Sequence, residues 1–437
     1  MSAPTGPVAT WLAGGFEDLR SLGPDGRKLF ATRLTRLFAY GFVSVILVFY
    51  LKAVQLSDAE IGWLFALTLV GDIGVSLWLT TTADRFGRRK TLVISALLMI
   101  FAGVVFALTK NFALLLIAAT VGVISLSGYE IGPFLSVEQA SLSQIISDQR
   151  RTGVFAWYNM AGSFATALGS LAGGVLAQAL QGRNMTPLGS YRVILLGYAA
   201  IGVVMAVMFL RLSPAVEVTP SGLTAAGAGG AFKRRFGLHR SKGVVAKLAA
   251  LFSLDAFGGG FVIAGIIAYW FNQKFGIREA QIGQILFWAN ILAGISALSA
   301  AWLASKIGLI NTMVFTHVPS NLLLILVPFM PTLPLAILIL LLRFSISQMD
   351  VPTRQSYTMA VVSPDERSAA AGVTGIARSV GAAAAQPIVG ALYANVAWLS
   401  AIFYIGGGAK LIYDALLYRN FRKNRPPEEK KKEGAGR

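Results

Sequence analysis

A small set of ionisable side chains stands inside stretches that are otherwise apolar: Asp72, Glu130, Asp255, Arg343, Asp350, Arg378, Lys410 and Asp414. A charge at the centre of a bilayer costs roughly 2.5–3.5 kcal/mol on insertion scales, so such groups need partners or a wet cavity. Arg343, Ser347, Asp350 and Arg354 stand at i, i+4, i+7 and i+11, which is one helix face. The stripe follows the apolar run Leu333 to Leu342 and is expected to look onto water or a ligand. Its chemistry would be proton uptake and release at Asp350, whose surroundings alternate between wet and dry, and anion binding at Arg343, which stays charged. The competing expectation is a fixed ion-pair network, with Arg343 holding Asp350 ionised. Asp350 and Glu130 are the candidate proton-coupling residues. Arg343, Ser347 and Asp255 are the candidates for substrate or pairing contacts. Lys410 and Asp414, one helical turn apart, are expected to neutralise each other. Asp72, beside Gly71, is expected at a seam between domains.

Asp255 opens the run Asp255-Ala256-Phe257-Gly258-Gly259-Gly260-Phe261. Three consecutive glycines destabilise a membrane helix unless it is meant to open, so a discontinuous helix is expected there. Tyr40, Tyr129, Phe257 and Trp288 are the aromatic residues expected to give a cavity its apolar wall. No phosphate loop, zinc-protease helix or serine-nucleophile elbow occurs, which leaves ATP-driven pumping and hydrolysis without support. There is no cysteine, and the two histidines, His239 and His317, do not suggest a metal site. The expectation is a protein that is not an enzyme and has no metal or cofactor, with a proton gradient as its driving force.

The elements that must position these residues are membrane helices. Of the 437 residues, 55% are hydrophobic and 13% charged, and the mean hydropathy is +0.65. A soluble domain carries roughly a quarter charged residues, so lipid must solvate this chain. The net charge of +18 is placed asymmetrically. Most Lys and Arg fall in the loops on one side, while Lys52, Lys110, Arg183, Arg192, Lys274 and Arg278 fall on the other. Positive-inside asymmetry then puts both termini in the cytoplasm, in the cell (inner or plasma) membrane, and argues against a nucleic-acid partner. The expected partners are a small-molecule substrate, protons and membrane lipids, with the protein a monomer.

Twelve spans are read, at roughly 34–53, 58–82, 90–109, 112–134, 152–179, 190–212, 247–272, 279–304, 309–329, 334–354, 368–394 and 398–418. Residues 1–33 form a cytoplasmic segment, with Trp11, Leu12, Phe16 and Leu19 at helix-like spacing. A six-helix bundle over 34–212 is followed by a linker, 213–246, rich in Pro, Gly and Ala with the basic cluster Lys233-Arg234-Arg235. A second bundle covers 247–418, and 419–437 is a basic tail. The halves echo each other at a constant offset of 221 positions. Asp58-Ala59-Glu60-Ile61-Gly62 returns as Glu279-Ala280-Gln281-Ile282-Gly283, and the turn Ala83 to Thr91 returns as Ala304 to Thr312. A half-chain repeat among apolar spans is how many secondary transporters are built, with the substrate site between the repeats.

The turn Ala83-Asp84-Arg85-Phe86-Gly87-Arg88-Arg89-Lys90 resembles the signature between spans two and three of the major facilitator superfamily. Thr80 and Thr82 stand where that signature has glycine and leucine. The resemblance covers essentially the whole chain. It implies an all-α polytopic fold of twelve transmembrane helices in two pseudo-symmetric six-helix bundles, with spans one, four, seven and ten around a central cavity. It also implies a conformational gate at Asp84, Arg85, Gly87 and Arg88, in which Asp84 faces the start of span eleven near Arg367 and Ser368. Span five carries Ala165-x-x-x-Gly169-Ser170-x-x-Gly173-Gly174, similar to a pattern of the drug:proton antiporter branch, and span eleven has Gln386-Pro387. Gly169, Gly173, Gly174 and Pro387 are therefore expected at helix-packing points. The expected function is alternating-access secondary transport, with proton-coupled efflux of an amphipathic or toxic compound as the first reading. A proton-coupled importer of an organic anion is the alternative. A non-transporting sensor or lipid-handling protein on the same fold is the alternative of another class.

Overall fold

The structure, a computed structural model, describes residues 22–125, 134–145, 148–217, 240–363 and 366–424, excepting the side chains of 80–82, 84, 85, 140, 143, 144, 148–153, 156, 301, 368 and 396. Every regular element among them is helical. Among the described residues seven spans are long and apolar enough to cross a membrane, one of them, Lys242–Phe275, made of two successive helices, and the bent pair Pro24–Ser44 and Leu47–Ala53 brings the number to eight when taken as one span. The remaining crossings are built from shorter or more polar helices, and together they give the twelve-helix architecture in two bundles. Span one begins at Pro24, ten residues before the hydropathy reading. Arg27, Lys28, Arg33 and Arg36 lower its apparent hydropathy, but Arg33 and Arg36 are buried with partners inside the first bundle. Span seven likewise starts at Lys242.

The sequence repeat is also a backbone repeat. Asp58–Phe86 and Glu279–Ile307 are both helices of 29 residues, at the same offset of 221. Each is followed by a glycine at positive φ, Gly87 at 104° and Gly308 at 87°, a conformation that side chains resist. Ser57 caps the first of these helices, accepting from the Glu60 N–H at 3.3 Å while the Ser57 N–H donates to the Glu60 carboxylate at 2.7 Å.

The halves meet along two related seams, span two against span eleven and span five against span eight. Both seams close on small residues. A Cβ on Gly62 would lie 2.8 Å from the Gln386 carbonyl, and one on its repeat mate Gly283 would lie 2.7 Å from the Ser170 carbonyl. Gly390 faces Asp58, and Gly174 faces Glu279, just as closely. These contacts lie at the end of the bundle away from the chain termini, where Tyr191 and Gln181 also donate to Glu279. Within the first half, Gly169 and Gly173 seat span five on the Phe38 and Phe42 carbonyls of span one. Pro387 lies inside the helix of span eleven, Arg367–Tyr393.

Candidate functional site

A cavity of about 560 Å³ lies between the halves. The helices around it are interrupted in mid-span. Span one bends by 45° between Ser44 and Leu47. Span four is carried by Phe112–Val121 and Phe134–Ile145, span seven by Lys242–Gly260 and Ala264–Phe275, and span ten by Leu333–Phe344 and Asp350–Val361. In lipid a broken helix is tolerated only where the freed backbone groups meet protein or a wet cavity. The break after Gly260 shows how this is met: Gln386 of span eleven donates to the Gly260 carbonyl at 2.9 Å. The three glycines have separate roles. A Cβ on Gly258 would meet the Gly406 carbonyl of span twelve at 2.7 Å, one on Gly260 would meet Ala385 of span eleven at 2.7 Å, and Gly259 faces the Lys410 ammonium.

The two walls differ in chemistry. The first half contributes, among the described residues, Ser44, Thr68, Leu69, Asp72, Ile124 and Thr166, so that Asp72 sits among hydroxyls and aliphatic groups. The second half contributes Asp255, His317, Arg343, Ser347, Asp350, Arg354, Arg378 and Lys410. Asp255, 3% exposed, is the hub of this wall. Lys410 Nζ lies 2.6 Å from its Oδ1, while Arg354 and Arg378 reach Oδ2 at 2.9 and 3.2 Å. Arg354 also pairs with Asp350 at 2.9 Å, so two carboxylates share one guanidinium. Arg343 is buried and stacks over the Phe344 ring at 4.9 Å. Among the described residues of this wall, the four cations Arg343, Arg354, Arg378 and Lys410 stand against the two acids Asp255 and Asp350.

This arrangement brings Asp255, Arg343, Ser347 and Asp350 together at the cavity, as their place on spans seven and ten implies. It corrects other expectations. Lys410 does not neutralise Asp414: it reaches across to Asp255, and Asp414 is bonded to His317 at 2.8 Å and to Asn321 at 3.0 Å. Arg354, rather than Arg343, is the partner of Asp350. Asp72 lines the cavity and accepts from Ser76 at 3.2 Å. Tyr40, Phe257 and Trp288 do not contribute to the cavity wall. Tyr40 is fully buried, Phe257 packs edge-on to Phe261, and Trp288 is 55% exposed on the outer face of span eight. Tyr129 and Glu130 lie outside the described residues, as do the side chains of Asp84 and Arg85. Of the gate residues, Arg88 starts span three, its N–H donating to the Glu217 carboxylate at 2.7 Å and its guanidinium to the Val216 carbonyl.

Sequence reasoning missed two groups. One is a fully buried ion pair in the first half. Arg36 of span one donates to both oxygens of Glu138 at 2.7 and 2.8 Å, and Thr32 and Tyr158 donate to the same carboxylate. Arg33 lies over the Tyr158 ring and donates to the Tyr158 carbonyl and to Asn159. The other is His317. Its signal was present as a polar ladder at i, i+4 spacing, because Thr312, Thr316, His317, Ser320 and Asn321 are all buried on one side of span nine.

The chain matches the profile of the Major Facilitator Superfamily over residues 29–385 and 248–437. It is 29% identical over 426 residues to the uncharacterized membrane protein YJR124C of Saccharomyces cerevisiae, covering 92% of this chain and 95% of that one. Among solved structures, an inward-facing bacterial homolog of the human lysosomal transporter Spinster superposes with a TM-score of 0.67 at 17% identity, over 93% of this chain and 99% of the other. The nucleoside transporter NupG gives 0.68 at 14% identity, over 91% and 99%. Two pseudo-symmetric bundles around a charged central cavity, together with the profile match across nearly every span, place this protein in the major facilitator superfamily.

Proposed function

We propose that this secondary transporter carries a small organic anion across the membrane by alternating access, in exchange with or alongside protons. The observation that carries this reading is the cluster of cations on one cavity wall, where among the described residues Arg343, Arg354, Arg378 and Lys410 outnumber Asp255 and Asp350. Guanidinium groups recognise carboxylates through paired donors and stay charged at all working pH values. The cavity volume falls within the roughly 300–1,000 Å³ usual for small-molecule sites. The opposite wall offers hydroxyls and aliphatic groups, which suits the uncharged body of such a solute.

Asp350 keeps a proposed part in coupling. It shares Arg354 with Asp255, so a proton taken by either acid removes one of the guanidinium's two partners and leaves that side open to a substrate carboxylate. Glu130 remains a proposed second proton site. The other reading, proton-driven efflux of an amphipathic compound as in the antiporter branch, draws its support from Gly169, Gly173 and Gly174. The close approach of spans one and eight to these glycines also accounts for them, without any antiport role.

The test is transport in proteoliposomes under an imposed pH gradient. Radiolabelled benzoate and succinate are set against a cationic amphiphile, in the parent and in Arg343→Gln, Asp350→Asn and Glu130→Gln. The reading expects proton-driven movement of an anion that Arg343→Gln weakens and Asp350→Asn or Glu130→Gln uncouples. Movement of the cation alone would refute it.

A further inference from the structure

We propose that His317 is the residue that ties proton binding to anion binding, by trading places with Lys410 on Asp255. The inference rests on the anion reading above and deepens it. His317 sits in span nine, 4% exposed, between two carboxylates. Its Nδ1 is 2.8 Å from Asp414 Oδ1, and its Nε2 is 3.7 Å from Asp255 Oδ1. Asp414 is fully buried, and its described partners are only His317 and the neutral amide of Asn321. An ionised carboxylate in such a place is costly without a positive partner or a shared proton. One proton is therefore held between Asp414 and Nδ1, and Nε2 is the open end of the pair, directed toward the cavity hub.

A second proton binds at the Nε2 lone pair and breaks no bond in the protein. The imidazolium then faces Asp414 with Nδ1–H and Asp255 with Nε2–H. A shift of under about 1 Å brings Nε2 to hydrogen-bond distance of Asp255 Oδ1. Lys410 holds that oxygen at 2.6 Å, and repulsion between imidazolium and ammonium on one buried oxygen drives the ammonium off. Lys410 lies beside Gly259, where no side chain blocks its way into the cavity. Arg354 and Arg378 remain on Oδ2, with Asp350 behind Arg354, and Tyr413 lies edge-on to the imidazole at 5.8 Å. The released ammonium is the group an entering carboxylate takes. Proton and anion then favour each other's binding, and by linkage the effect is reciprocal.

The chain contains only two histidines, so the state of His317 can be read alone. In a His239→Gln background, full-length protein carrying ¹⁵N-histidine is placed in lipid nanodiscs and its imidazole is followed by NMR. At fixed pH, sodium benzoate or sodium succinate should raise the fraction of His317 bearing two N–H groups, and Lys410→Ala should abolish that response. In proteoliposomes, an inward gradient of one pH unit supports about tenfold accumulation of an anion moved with one proton. His317→Gln should still exchange the anion across the membrane, but its accumulation should stop at the external concentration. An imidazole indifferent to an anion that the parent does accumulate would overturn the role of His317 and leave the anion reading standing. If neither anion is moved, the anion reading fails, and a comparison without added anion decides the rest. At fixed pH, Lys410→Ala should raise the fraction of His317 bearing two N–H groups and Asp255→Asn should lower it, because the first removes the competitor for Asp255 Oδ1 and the second removes the carboxylate that Nε2 faces. A fraction unmoved by both substitutions sinks the proposal.

Discussion

Enlarging Gly174 should swing the transporter toward the state that is open on the side away from its termini. In the structure a Cβ at this position would fall 2.2 Å from the Glu279 carbonyl oxygen and 3.1 Å from the Gly283 Cα. Ordinary contact begins near 3.4 Å, so spans five and eight would have to part by more than 1 Å where the halves are joined. Overpacking of this kind costs about 1–3 kcal/mol. The cost applies only to the conformation in which the seam is closed, so it shifts the closed-to-open equilibrium by about 5- to 150-fold. The native chain has no cysteine, which gives a clean background for a single thiol. Ser44→Cys places one at the bend of span one, on the cavity wall. Labelling by a membrane-impermeant thiol reagent, added from the side away from the termini, should accelerate by that factor in Gly174→Ala. Gly182→Ala, on the same helix with nothing within 4 Å of its Cβ, should leave the rate unchanged. A folded Gly174→Ala protein labelled at the parent rate, or equal acceleration by Gly182→Ala, would refute the reasoning.

Glu138→Gln should lower thermal stability in detergent by about 3–5 kcal/mol, because it leaves the buried Arg36 guanidinium facing a neutral amide. The double variant Arg36→Met, Glu138→Leu should recover a substantial part of that loss, and a loss larger than the single variant's would contradict the pairing. Gly87→Ala and Gly308→Ala should each cost about 1–3 kcal/mol, since both sit at positive φ, whereas Gly375→Ala, with open space around it, should not destabilise. Glu366→Ala should expose the amides of Arg240 and Ser241, which donate to that carboxylate at 2.8 and 2.9 Å. Their hydrogen exchange should quicken by about 5- to 150-fold, and unchanged protection would show that the carboxylate does not hold the start of span seven.

Much of the scaffold was legible because the repeat is written in residues that the backbone requires. The acidic-Ala-x-Ile-Gly run starts equal helices, Gly62 and Gly283 close equivalent seams, and Gly87 and Gly308 make equivalent turns. The glycine run of span seven marked a real break, although two of its three glycines are there for close approach to spans eleven and twelve. What the sequence hides is the facing of apolar residues. Lipid and protein core are equally apolar, so hydrophobic periodicity gives no phase in a membrane helix. Trp288 could turn outward and Tyr40 inward without any change in pattern. Charge pairing was hidden for a related reason. Lys410 and Asp414 lie one turn apart on one helix, yet each finds a stronger partner on another helix, a choice fixed only by packing. Arg36 and Glu138 stand at the ends of hydropathy windows, where they pass for head-group residues, and 102 positions separate them.

The distribution of the ion network limits how coupling can work. Asp255, His317, Asp350, Arg354, Arg378, Lys410 and Asp414 belong to spans seven, nine, ten, eleven and twelve, all in the second half. If the halves rock as rigid bodies, the network moves as one piece, and none of these ion pairs needs to break when the cavity changes sides. The seams that do part are made of glycines and carbonyls in van der Waals contact, with a few hydrogen bonds to Glu279. The seam therefore sets the energy of opening, and the network sets which charge states are permitted inside a closed cavity. A wall on which the described cations outnumber the described acids is costly to close over when empty. An anion lowers that cost, and a proton on the wall restores it unless the anion is already present. Under the proposed anion reading, coupling follows from the charge of the occluded cavity, and substitutions that alter its net charge should change stoichiometry before they change the rate of rocking.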